Sequence, residues 1–304
     1  SVDLIDNDSA EYGTLYCTDK KVYYKRIKAK ELWNTLMHCA WNTAEPGIMF
    51  EDTMHNSPDG IYDDFKMVST NPCGEIPMGP YDSCRLIHIN LSSFIDNPFT
   101  DKATIDEDKL YRISYEATRL ADDLVDLEVE AINRIINVVK NEEDFVEFNL
   151  WNRIKETTLK GRRAGLGFTG LADTIAMLGL KYDSDEGLMN IEHLMKIIFK
   201  AQLDCQIDMA IERGSFPAWD KEKESSTENP WYVWLCSNYN KDFYRMSAYG
   251  RRNISWSTVA PTGTVSIMAQ CSSGIEPVFL PFYERKRKCM SPEDRVDYTD
   301  IKGE

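Results

Sequence analysis

An α/β architecture is the fold class this sequence predicts, and three observations predict it. Strand-like stretches at 85–94, 163–169 and 254–259 are interleaved with stretches whose apolar residues step by three and four, at 29–41, 106–139, 169–179 and 190–213. With 304 residues and 42% hydrophobic content, the chain can bury one large core or two ordinary ones. No internal repeat or low-complexity tract interrupts the alternation.

Taken in order, Lys20–Arg26 reads as a short strand, and Leu32, Leu36, Ala40 and Trp41 give Ala29–Trp41 a helical period. Glu45-Pro46-Gly47 closes that helix, and the polar stretch 55–64 reads as loop. A loop around Cys73 follows, and then Arg85–Phe94 as a buried strand. From Asp106 to about Val139, Leu110, Ile113, Ala117, Leu120, Leu124, Leu127, Ala131, Ile135 and Val138 mark an amphipathic helix or helix pair. Its acidic residues Asp122, Asp123, Asp126, Glu128 and Glu130 read as a solvated face with helix-end contacts, since no histidine is in step with them to complete a metal site. A long helix is expected from Asn190 to about Arg213, and Asp220–Glu228 reads as an exposed loop. After the strand at 254–259 come a turn and a further regular stretch at 265–270.

A formal net charge of −15 argues against a general nucleic-acid surface, which needs Lys and Arg to neutralise phosphates. Basic clusters at Arg162-Arg163, Arg251-Arg252 and Arg285–Lys288 are either solvated surface or contacts for a small anionic substrate. The cysteines at 17, 39, 73, 84, 205, 236, 271 and 289 contain no Cys-x-x-Cys pair, which speaks against a zinc ribbon or disulfide scaffold. Glu-x-x-His is absent and Asp52-x-x-His55 only echoes it, so no protein-bound di-iron centre or other metal site is expected in this chain. No apolar run approaches a spanning length and no charged-then-apolar leader is present, so a soluble, cytoplasmic protein without a membrane partner is expected. The chain opens on Ser1 and closes on Glu304 within a strand-and-turn region, which reads as a fragment.

The chemistry concentrates in four segments. Asn71-Pro72-Cys73-Gly74-Glu75 crowds an amide, a thiol and a carboxylate onto one short loop, eleven positions before Cys84. Pro72 and Gly74 keep Cys73 out of regular structure, and in an extended loop Asn71, Cys73 and Glu75 would share one side and converge on one ligand. An ordinary turn with a buried free thiol is the plain reading of the same residues. Gly165-Leu166-Gly167-Phe168-Thr169-Gly170 fits the dinucleotide fingerprint, but the approach Thr158–Arg163 is not an apolar strand, which favours a tight strand-to-helix packing turn. Thr262-Gly263-Thr264-Val265-Ser266 offers three hydroxyls and successive N–H groups, suited to a phosphate held without metal or equally to a hydroxyl-rich turn. Ser272–Pro277 adds a second tight turn.

On four segments the sequence resembles the catalytic large subunit of ribonucleotide reductase: Asn71–Glu75 through Cys84 and Asn90-Leu91; Gly161–Asp173; Arg252-Asn253 through Ser266; and Ser273–Pro277. The resemblance implies a ten-stranded α/β barrel with a central finger loop, of which residues 1–304 would be the central, incomplete part. It implies reduction of ribonucleotides to 2′-deoxyribonucleotides. Cys73 would be the thiyl radical, Glu75 the base for the 3′-hydroxyl, Asn71 a hydrogen bond to the sugar, and Cys84 one of two reducing thiols. Thr262, Gly263, Thr264, Val265 and Ser266 would hold the phosphates of a ribonucleoside di- or triphosphate. Thioredoxin or a glutaredoxin-type reductant and a homodimeric full-length parent are also implied. The second reducing cysteine has no match here; it lies upstream in the family. The Pro and Gly around Cys73, Ser273–Glu276 and Arg285–Lys288 look more like the adenosylcobalamin-dependent class than the class that borrows a radical from a separate di-iron subunit. Two other functions compete: a nicotinamide-dependent oxidoreductase built on Gly165–Gly170, and a non-catalytic nucleotide-binding module.

Overall fold

The computed structural model describes residues 4–6, 13–15, 26–141, 144–226, 228–278 and 280. The chain divides into two units, residues 1–53 and 54–304. In the first, β1 (Leu4–Asp6), β2 (Gly13–Leu15) and β3 (Arg26–Ile27) form an antiparallel sheet. Helix α1 (Ala29–Thr43) follows and stops at Ala44, whose left-handed backbone turns its N–H onto Ala40 O. The strand expected at 20–26 lies outside the described residues except for Arg26, as do Cys17, Cys289 and the Arg285–Lys288 cluster.

After the one-turn helix α2 (Glu51–His55), the second unit presents a small hairpin, β4 (Ser69–Thr70) against β5 (Pro77–Met78), with residues 71–76 as its tip. The main sheet follows. β6 (Arg85–Asn90) and β9 (Ala164–Thr169) are parallel, in register from Arg85↔Ala164 to Asn90↔Thr169. On the other side of β9, Ser255–Thr258 runs parallel to it. Ala164 and Leu166 donate to Ser255 O and Trp256 O, and Thr258 donates back to Leu166 O. The expected strand at 254–259 is therefore present as a short bridge. Between β6 and β9 lie β7 (Ile95–Asp96) paired with β8 (Thr104–Ile105), then α3 (Glu107–Asn141) and α4 (Phe145–Gly161). A parallel pair needs such a crossover. Beyond β9 come α5 (Leu171–Met177), α6 (Asp185–Arg213), α7 (Lys221–Ser226), α8 (Pro230–Asn238), α9 (Asn240–Tyr249) and α10 (Gly263–Ala269). The result is a mixed helix and sheet fold with a parallel sheet, and no closed barrel is formed by the described residues.

Alternation along the strands decides what faces what. Ile87 and Ile89 of β6, with Leu166 and Phe168 of β9, pack on Leu110 of α3 and Leu194 and Ile198 of α6. The opposite face carries Leu86, His88 and Asn90 beside Gly165 and Gly167. Helix α6 begins five residues before the expected Asn190, because Ser184 accepts from the Gly187 N–H and caps it there.

Three expectations are corrected by ion pairing. Asp122 is fully buried, and its neighbours on α3 are engaged as well: Asp126 with Arg162, Glu128 with Arg85 and Asp123 with Arg213. Asp126 and Glu130 are exposed and Asp123 and Glu128 half-buried, as expected from the sequence, but Asp122 is not part of a solvated face. Nor are the Arg162-Arg163 and Arg251-Arg252 clusters open to solvent or to an anion. Arg163 is held by Asp59 at 2.6 Å and Asp82 at 2.7 Å, and Arg251 by Glu224 at 3.0 Å. The stretch 220–228 contains α7, and Glu224 within it is buried, accepting from the Tyr62 hydroxyl, the Trp219 indole and Arg251. Charge in these segments serves the interior, since a buried guanidinium must be paired.

Candidate active site

The hairpin tip is closed by Asn71. Its N–H donates to Ile76 O at 3.1 Å, and its side-chain Oδ1 accepts from the Ile76 N–H at 3.0 Å. Within this clasp Gly74 N donates to Asn71 O, and Gly74 takes φ +83, a conformation that favours glycine. The tip is a tight turn, so the two-residue alternation expected to gather Asn71, Cys73 and Glu75 on one side does not apply. Cys73 is exposed, whereas Glu75 folds inward with Oε2 buried. The Asn71 amide oxygen is committed to the clasp, which leaves its NH₂ group as the donor.

Glu75 and Cys84 meet at one cavity of about 230 Å³, walled also by Asp59, Ile76, Arg163, Phe199, Trp231 and Ser255–Ser257. Cys84 stands at the entry of β6, where Asp82 and Arg85 flank it. Arg163 bonds Asp82, and Arg85 donates to Ser83 O and Arg163 O, so this approach to the strand is pinned on both sides. Burial pushes the Cys84 thiol up to about 12, against the pull of Arg163 and Arg85 and with the help of Asp82 and Glu75. At neutral pH it is an uncharged S–H. Cys73 and the 262–266 segment are not walls of this cavity.

That segment sits at the carboxyl end of β9. Thr262, at φ +54, donates its hydroxyl to Thr169 Oγ1 and accepts from the Gly274 N–H at 2.7 Å. Gly263, Thr264 and Val265 open α10, and their N–H groups precede its first internal bond, Ser266 N to Thr262 O. The Ser266 and Ser273 hydroxyls are 2.7 Å apart, and Ser272 N donates to Asp173. The two turns singled out in the sequence are thus interlocked, and they lie where loops after parallel strands gather around ligands.

The Gly165–Gly170 run is no phosphate loop. Gly165 and Gly167 lie inside β9, and Gly170, at φ +75, is the turn into α5. Their lack of side chains admits neighbours. A Cβ on Gly165 would lie 2.9 Å from Thr258 Cγ2 and 3.1 Å from Cys84 Sγ, and one on Gly167 would lie 3.0 Å from the His88 ring. This is the packing role, and it disfavours the nicotinamide alternative.

His88, Trp256 and Thr258 escape a motif search. Glu75 Oε2, His88 Nε2, Trp256 Nε1 and Thr258 Oγ1 are four of five buried side-chain polar atoms without a hydrogen-bond partner among the described residues. Such atoms are rare in packed interiors, so their gathering around the hairpin and β9 marks a functional region. The signal available for His88 was its step of four from Cys84, on the same face of one strand.

Among the described residues no group of three or more His, Cys, Asp or Glu side chains is arranged to hold a metal ion, and no helix is long and apolar enough to cross a membrane.

Residues 4–296 match the family model for the ribonucleotide reductase barrel domain. The chain is 35% identical to a vitamin B12-dependent ribonucleoside-diphosphate reductase of Thermoplasma acidophilum, over 93% of this chain and 31% of that protein. It is 31% identical to a protein of the same name from Mycobacterium tuberculosis, over 86% of this chain and 31% of that protein. Among solved structures, a class Id ribonucleotide reductase alpha subunit from Actinobacillus ureae superposes with a TM-score of 0.56 at 20% identity, covering 82% of this chain and 39% of that one. That likeness concerns the fold. The chain spans about a third of the length of the curated relatives it matches.

Proposed function

Since this chain belongs to the ribonucleotide reductase barrel-domain family, we propose that it is the central part of a catalytic barrel that reduces ribonucleotides to 2′-deoxyribonucleotides. The ten-stranded closure would be completed by segments outside residues 1–304. One observation carries the reading: a half-buried carboxylate with one enclosed oxygen, Glu75, and a half-buried, uncharged thiol, Cys84, wall the same cavity at the base of a hairpin whose tip bears a second thiol, Cys73.

Each group suits one step. As a thiyl radical Cys73 takes the 3′ hydrogen atom of the ribose, and Glu75 takes the proton of the 3′-hydroxyl. The 2′-hydroxyl leaves as water with a proton that a neutral thiol can give, which is the state burial imposes on Cys84. Two thiols supply two electrons and end as a disulfide. Cys84 is one of them, the other comes from upstream in the full-length protein, and a thioredoxin or glutaredoxin-type dithiol resets the pair. The Asn71 NH₂ donates to the sugar. Thr262, Gly263, Thr264, Val265 and Ser266 hold the substrate phosphates, supported by the free N–H groups that open α10. The relatives' names favour a diphosphate substrate and adenosylcobalamin, which supplies a one-electron oxidant for a thiol. What fits that group here is the exposure of Cys73, which an external radical source can reach; the described residues give no set of ligands that would hold it.

Cys73→Ser in the full-length protein tests the reading. Deoxynucleotide formation should be abolished while circular dichroism is unchanged, and retention of turnover would refute the thiyl role. The isolated 304-residue chain should not turn over.

A further inference from the structure

The second tight turn, Ser272–Pro277, takes no part in the reaction above, yet it is bonded on one side to the end of β9 and the start of α5 and on the other to the 262–266 turn. Ser272 is gripped at both backbone groups. Its N–H donates to Asp173 Oδ2 at 2.6 Å, and its carbonyl accepts from Thr169 Oγ1 at 2.6 Å and from the Gly170 N–H at 2.8 Å. The next two residues pass this support on. Ser273 Oγ lies 2.7 Å from Ser266 Oγ, and the Gly274 N–H donates to Thr262 Oγ1 at 2.7 Å. Gly274, at φ +44, also packs on the backbone that leads into the 262–266 turn, where a Cβ would lie 2.9 Å from Ala260 O. Thr262 needs such support most. Its left-handed backbone, at φ +54, is costly for a β-branched residue and persists only where the surroundings over-determine it. Its hydroxyl is spent on that task, donating to Thr169 Oγ1 at 3.3 Å and accepting from Gly274. The Thr262 backbone in turn sets where the N–H groups of Gly263, Thr264 and Val265 point.

We propose that Asp173 is a positioning residue for the substrate phosphates: its carboxylate fixes Ser272, and through Gly274 and Ser273 the second turn holds Thr262 and Ser266 in the shape that receives them. Asp173 acts through Ser272 and not on the substrate. No bond of the substrate is made or broken by it, so its effect falls on affinity and not on the chemical step. This inference rests on the reading of 262–266 as the phosphate turn.

The full-length enzyme, assayed with a ribonucleoside diphosphate and with inorganic pyrophosphate as competitor, tests this. Asp173→Ala leaves the Ser272 N–H without its acceptor and should raise KM and the pyrophosphate inhibition constant together, by about tenfold, at unchanged kcat. Asp173→Asn keeps an oxygen that can accept from Ser272, so it should bring both constants back toward the parent values. A general folding defect would instead lower kcat by reducing the active fraction. Unchanged constants in Asp173→Ala overturn the proposal, and so does a KM as high in Asp173→Asn as in Asp173→Ala. Gly274→Ala drives a Cβ against Ala260 O and should raise the same two constants. If Asp173→Ala fails to fold, unchanged constants in Gly274→Ala overturn the proposal by themselves. Thr264→Asp separates the two failures, since it sets a negative charge at an exposed position of the phosphate turn. Pyrophosphate that inhibits Thr264→Asp as well as the parent sinks the phosphate role of 262–266 and this inference with it. Inhibition lost in Thr264→Asp but unaltered in Asp173→Ala sinks the positioning role alone.

Discussion

Cys84 and Gly165 face each other at the start of the paired strands β6 and β9, so closely that a methyl group on Gly165 would lie 3.1 Å from Cys84 Sγ and 2.9 Å from Thr258 Cγ2. Neither neighbour yields easily, because Thr258 is β-branched and Cys84 is pinned by the ion pairs of Asp82 and Arg85. Gly165→Ala should therefore cost about 1–3 kcal/mol of stability through overpacking. Chemical denaturation would register this as a lower midpoint at unchanged slope. An unaltered midpoint would mean that the strands have room to part.

The two thiols of the candidate site should differ sharply in reactivity. Cys73 is exposed on a turn, while burial pushes Cys84 up to about 12. Only the thiolate is alkylated, so modification of Cys84 by iodoacetamide should be very slow at neutral pH and rise about tenfold per pH unit toward that value. Peptide mapping by mass spectrometry after brief labelling should find Cys73 modified and Cys84 spared. Equal labelling at pH 7 would contradict the half-buried, uncharged state assigned to Cys84.

The sequence was most informative where one period ruled a whole element. The three-and-four step predicted α3 almost to the residue, and β9 into α5 follows the strand-like stretch at 163–169, the tight turn at Gly165–Gly170 and the helical stretch at 169–179. It was least informative where charge met the interior. Asp122, Arg163, Glu224 and Arg251 read as surface residues because their ion-pair partners are 27 to 130 positions away in sequence, and no local pattern announces such a pairing. The site was legible in its parts and not in its arrangement. Cys73, Glu75 and Cys84 stand out in the sequence, but the turn that sends the Cys73 thiol outward and the Glu75 carboxylate inward depends on the Asn71 clasp and the positive φ of Gly74. Helices α8 and α9 were not anticipated at all; their burial comes from long-range packing of Tyr232, Leu235 and Met246 on α6.

Asp122 supplies the strongest stability prediction. Its carboxylate accepts from Arg162 Nε at 2.8 Å, Arg252 Nε at 2.9 Å and Asn253 Nδ2 at 2.9 Å, with Arg213 at 3.4 Å, and it joins α3 to the end of α4, the end of α6 and the approach to the 255–258 segment. Burial alone would raise its pKa, but the bonds to Arg162 and Arg252 outweigh burial and hold it below the usual carboxylate range. A depressed folded-state value means that the contribution is complete above the unfolded value of about 3.9 and is lost as pH falls through the folded one. Asp122→Ala leaves Arg252 without a carboxylate partner and takes one of two from Arg162 and Arg213, and should cost about 3–5 kcal/mol. Asp122→Asn keeps the shape but removes the charge, so it should destabilise the chain near pH 7 and reduce the further loss between pH 4 and pH 2. Thermal unfolding followed across that range checks both signs. An Asn variant as stable as the parent at pH 7, with the same acid limb, would show that hydrogen bonding without charge suffices at this junction.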